Sequence, residues 1–94
     1  MLAELRGDYA RVLPSRIAGI ESLWSAITAG EDRNEELLRA VHSIAGGAET
    51  FGMPEVGNAA IDLEEALRSK QDSAGIAAGV QRLADAARAA LADR

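Results

Sequence analysis

Ninety-four residues suffice for one domain around one modest core and are too few for two. The chain is 48% hydrophobic, but alanine dominates that share, with one Trp, one Tyr and one Phe; the absence of cysteine excludes disulfides and thiolate zinc sites. A net charge of −5, with ten basic residues dispersed among fifteen acidic ones, repels a nucleic-acid backbone and leaves another protein as the expected partner. No stretch reaches the roughly eighteen consecutive apolar residues of a membrane span. The opening LAELRGDYARVL alternates charged and apolar residues, unlike a signal peptide, so a cytoplasmic, membrane-free monomer is expected.

In chain order, Leu2, Leu5, Tyr9 and Val12 form a short apolar stripe that the sequence reading ends near Pro14, because proline disfavours helical geometry in the residue before it and suits the first turn of a new helix. Leu13, Ile17, Ile20, Trp24 and Ile27 then repeat at spacings of four and three, which predicts an amphipathic helix closed by Gly30. Asp32 with Glu35 resembles a capping box and opens the next helix, whose face is Leu37, Val41, Ile44, Ala48 and Phe51. Gly52 and Pro54 stop that helix and start another, carrying Val56, Ala60, Leu63 and Leu67. Asp72 or Ser73 caps the last, with Ile76, Val80, Leu83, Ala87 and Ala90 inward. The predicted fold is all-α: an antiparallel four-helix bundle with a short additional N-terminal helix, occupying residues 1–94 as one domain.

The second long helix carries the only histidine, His42, followed by Gly46 and Gly47. A glycine inside a helix costs roughly 1 kcal/mol relative to alanine. At 100° per residue His42 points about 125° and Gly46 about 165° away from the apolar stripe, so both face outward. Neighbours on a helix surface are four apart, and the imidazole therefore has a bare glycine beside it instead of a side chain. Arg39, Ser43 and Glu49 border that flank. Gly47 lies on the other side, where it lets a neighbouring helix approach.

Hydrolytic chemistry needs a nucleophile beside a base and donors for an oxyanion. Ser43 adjoins His42 in sequence, but successive helical residues diverge and do not face one another. A metal site lacks a second histidine and any cysteine, and Glu64 and Glu65 read as ordinary carboxylates of an acidic helix. What is left is a neutral imidazole able to attack phosphorus through one nitrogen while the other keeps its proton.

The run HSIAGGAETFGMPEVGNAAIDLEEAL resembles the signature of histidine-containing phosphotransfer (HPt) domains of two-component phosphorelays. In that signature a helix bears histidine, a hydrophobic residue two on, and glycines four and ten on: here His42, Ile44, Gly46 and Gly52. The wording around His42 is also similar to the amino-terminal phosphotransfer domain of chemotaxis histidine kinases. The resemblance implies that His42 is the phosphoacceptor, loaded by the aspartyl phosphate of a receiver domain or by a sensor histidine kinase and unloaded onto a response-regulator receiver. It implies a phosphoryl carrier rather than an enzyme, with no cofactor or metal of its own and magnesium held by the receiver. Gly46, with Arg39, Ser43 and Glu49, would meet the docking partner, and Glu64 matches the acidic residue that hydrogen-bonds the non-reacting ring nitrogen. Two positions depart from the pattern: Ala45 stands where many members have lysine, and Ile61 where chemotaxis-type domains often have a second histidine. Ala45 favours an alternative, a helical adaptor that binds a receiver or kinase without phosphoryl chemistry.

Overall fold

Four helices follow the four long stripes: α1 (Leu2–Thr28), α2 (Asn34–Thr50), α3 (Pro54–Arg68) and α4 (Ser73–Ala92). The computed structural model describes residues 2–92, without the side chains of residues 2–8 and of Glu49. The contributions expected of Leu2, Leu5 and the Glu49 carboxylate therefore lie outside the described residues. Connections of five, three and four residues join the helices, short enough to force antiparallel neighbours. Each helix packs against two others in the ring α1, α2, α3, α4, with no close backbone contact across a diagonal among the described residues. The described chain measures 42 × 20 × 19 Å, and the 27 residues of α1 run nearly that length at the helical rise.

The core follows the predicted stripes except at Val12, which is 43% exposed because it points about a quarter turn away from the buried line of Tyr9, Leu13 and Ile17. Leu13, Ile20, Leu37, Val41, Ile44, Val56, Leu63 and Leu83 are fully buried. Each such side chain contributes about 1.5–3 kcal/mol of transfer free energy, measured against an exposed one. Alanines fill the remaining contacts: Ala48, Ala59, Ala60, Ala84 and Ala87 are buried between helices, which keeps the bundle narrow. Trp24, Phe51, Leu67 and Ala90 sit at the edge of this core, partly buried.

Two sequence expectations are corrected. The separate leading helix does not exist: α1 passes through Pro14 without a break. Tyr9, Leu13, Ile17 and Ile20 form one uninterrupted buried stripe across the proline, and holding that stripe against α2 and α4 offsets the missing amide hydrogen bond. Pro14 itself is exposed, so its ring displaces only solvent. At the start of α2, the first intrahelical bond runs from Leu37 N–H to the Arg33 carbonyl at 3.1 Å, which makes Arg33 rather than Asp32 the capping position. Arg33 reaches forward to Glu36 through Nε at 3.1 Å and Nη2 at 2.7 Å, a bidentate pair in place of the expected box.

The other ends follow expectation. Gly30 (φ 105°) and Gly52 (φ 79°) take left-handed conformations after α1 and α2. Pro54 occupies the first turn of α3. Asp72 caps α4, its Oδ1 accepting from Gly75 N–H at 2.9 Å. Lys70 closes α3 in the left-handed region (φ 56°), where glycine is the usual residue.

Candidate functional site

Site geometry begins with how α2 is anchored. Val41, Ile44 and Ala48 are completely buried, and they fix the rotation of the helix. That rotation turns His42 outward, with 68% of its side chain exposed. Gly46 is exposed as well, and a Cβ built there meets nothing within 4 Å. Gly47 is the opposite case: a Cβ would lie 3.0 Å from Tyr9 Cε1. The missing side chain at Gly47 lets the Tyr9 ring of α1 lie against α2, where it stacks on Phe51 with centroids 4.9 Å apart. One glycine thus serves packing, and the other leaves a gap beside the histidine.

The imidazole is held from α3. His42 Nδ1 lies 2.8 Å from Glu64 Oε2. The carboxylate is an acceptor only, so Nδ1 carries the proton and donates, leaving the lone pair on Nε2, the ring nitrogen away from Glu64. Glu64 in turn accepts from Arg68 Nη2 at 2.8 Å and Nε at 3.3 Å. These arginine bonds are the main reason its carboxyl titrates below the usual range; partial desolvation opposes them, and the bond from His42 reinforces them. Glu64 is only 14% exposed, whereas Arg68 is 60% exposed. The carboxylate sits under the imidazole while the guanidinium reaches the surface.

On the opposite flank Arg16 of α1 donates from Nη1 to Ser43 Oγ at 3.0 Å. Arg39 is exposed one turn before His42. Ile61 is exposed one turn before Glu64, whereas Ala45 packs against the edge of the core. The structure therefore brings His42, Gly46, Arg39 and Ser43 onto one open surface of α2 and adds Glu64 from α3. Arg16 and Arg68 are absent from the sequence-based set. Arg68 follows Glu64 by four residues, the spacing of a helical ion pair, and that signal was available. Arg16 and Ser43 are 27 residues apart and no local pattern links them.

The open cleft bordered by Trp24, Ile27, Leu38, Leu67 and Ile76 does not include His42. Among the described residues no group of three His, Cys, Asp or Glu is arranged to hold a metal ion. None of the described helices is long and apolar enough to cross a membrane.

Fold and site together define a helical bundle that displays one oriented imidazole on its surface. A sequence model of the Hpt domain matches residues 4–93, and the chain belongs to that family, whose chemistry is histidine phosphotransfer in two-component signalling. Neither a curated protein nor a solved structure matches the chain.

Proposed function

We propose that this protein is a phosphoryl carrier in which Nε2 of His42 is the acceptor. The observation that carries the reading is the 2.8 Å contact between His42 Nδ1 and Glu64, which occupies one ring nitrogen and leaves the other as nucleophile on an exposed ring. In the transfer step the Nε2 lone pair attacks the phosphorus of a receiver's aspartyl phosphate. A P–N bond forms, the P–O bond breaks, and the aspartate leaves as carboxylate while Nδ1 keeps its proton, donated in a hydrogen bond to the ionised Glu64. The reverse step loads a second receiver, and a sensor histidine kinase is the other possible donor. Divalent-cation chemistry belongs to the receiver, which makes the bundle a platform rather than an enzyme, consistent with phosphoryl transfer resting on positioning and electrostatics.

Gly46, Arg39 and Ser43 form the surface on which a receiver would close, and the gap over Gly46 gives its acidic pocket access to the ring. With such partners the protein would work in the cytoplasm. His42→Gln provides the test: phosphoryl uptake from labelled phospho-receivers should fall to background while receiver binding persists. Ala45, packed at the core edge, places no cation beside the ring from its own position, which favours the adaptor reading. Receiver binding by a wild-type protein that takes up no label from any receiver of its host would establish that second reading.

A further inference from the structure

Glu64 faces two demands that conflict. To orient His42 through Nδ1 it must stay ionised and close, yet a phosphoryl group arriving on Nε2 brings about two negative charges to the same ring. A lone carboxylate in that position repels the product it helps to form. Arg68 resolves the conflict by geometry. Its Nη2 and Nε contact Oε2, the same oxygen that accepts from His42 Nδ1. The arginine is anchored one helical turn along α3 from Glu64 and needs nothing from α2 to hold its place.

We propose that Arg68 is a positioning residue for phosphoryl transfer: it holds the Glu64 carboxylate under His42 Nδ1 and cancels the charge that carboxylate presents to a phosphoryl group on Nε2. The inference rests on the phosphoryl-carrier reading and assigns it a residue from α3. The neighbouring cations are engaged differently. Arg16 is tied to the Ser43 hydroxyl on the α1 side, and Arg39 stands on α2 itself. Arg68 alone among the three bonds the carboxylate that orients the ring.

The test uses phosphoramidate as a small donor acting on the whole chain. The P–N bond of the reagent breaks, ammonia leaves, and a new P–N bond forms at Nε2, so no receiver is required. Phosphohistidine occupancy is read by phosphorus NMR, and the ring tautomer of the unmodified protein by nitrogen NMR. Arg68→Gln should lower occupancy about fivefold and reduce the fraction of rings protonated at Nδ1, with Arg68→Lys recovering most of both. In a Glu64→Gln background the Arg68→Gln change should have no further effect, since no carboxylate charge is left to cancel. Wild-type occupancy with an unmoved Arg68→Gln variant, or an equal loss in the Glu64→Gln background, overturns this inference and leaves the carrier reading standing. A wild type that takes up no phosphoryl overturns both.

Discussion

Gly46 and Gly47 are adjacent in sequence and opposite in what a methyl group would meet. At Gly46 a Cβ finds open space, so Gly46→Ala should stabilise the protein by about 1 kcal/mol through helix propensity alone. At Gly47 a Cβ would press to 3.0 Å on a Tyr9 ring already stacked against Phe51. Overpacking of that kind costs about 1–3 kcal/mol and exceeds the propensity gain, so Gly47→Ala should melt lower. Thermal denaturation of the two variants checks both signs. Gly46→Gln should keep or raise the melting temperature and yet slow transfer from a phospho-receiver by tenfold or more, because its side chain fills the gap beside His42. Stability and transfer moving together in that variant would remove the argument for the gap. Much of this site was legible from spacing: His42 and Gly46 outward, Gly47 toward a neighbouring helix. Spacing along one helix cannot show which side chain another helix lends, so the contact of Arg16 with Ser43 is not legible from it. Glu64 came only from resemblance, because its local pattern is that of any acidic helix.

Among the elements, α1 and the end of α3 each contain a residue that local rules disfavour, and each yields a stability prediction. Pro14 has no amide to donate to the carbonyl of Ala10, and its ring is exposed. Pro14→Ala should restore that bond and stabilise the protein by about 1–2 kcal/mol, net of the entropy that alanine returns to the unfolded chain. Lys70 sits at φ 56° while its N–H bonds the Leu67 carbonyl at 3.3 Å and the Gln71 N–H bonds that of Ala66 at 3.1 Å. That bonding closes the helix whatever the residue, so Lys70→Gly should gain about 0.5–1 kcal/mol by removing the Cβ penalty. For a domain this small each kcal/mol moves the melting temperature by about 4–8 °C, within reach of calorimetry. The four long helices were legible because their apolar stripes repeat without interruption. A boundary at Pro14 follows only from its local preference, which the burial of Leu13 and Ile17 on either side of it overrides. The cap of α2 shifted from Asp32 to Arg33 for a similar reason: the bidentate hold of Arg33 on Glu36 is invisible to a pattern that expects a short polar side chain.

Viewed as a whole, the described residues place a polar contact across every seam of the ring. Arg16 reaches Ser43 between α1 and α2, His42 reaches Glu64 between α2 and α3, Arg82 reaches Asp62 between α3 and α4, and Arg88 approaches Glu21 between α4 and α1. Most of these groups are exposed, where such pairs contribute about 0–1 kcal/mol, so the buried aliphatic stripes hold the bundle and the seams only trim it. Function can therefore be placed on a seam without endangering the fold, and Glu64→Gln should stay folded at neutral pH. Its effect should emerge in acid. The folded protein holds Glu64 below the usual carboxylate range, chiefly through Arg68, so the unfolded chain binds that proton at higher pH than the folded one does. The stabilisation is present above the ordinary glutamate range near pH 4.5 and is lost as pH falls through the lower folded value. Glu36, lowered chiefly by its hydrogen bond from Arg33, contributes with the same sign. Urea midpoints measured from pH 6 down to pH 3 should fall for the wild type and fall less steeply for Glu64→Gln, with Glu36→Gln removing a separate part of the slope. A Glu64→Gln profile parallel to the wild type would mean that the carboxylate under the imidazole is not held ionised by its arginine, and the oriented Nδ1–H of His42 would lose its support.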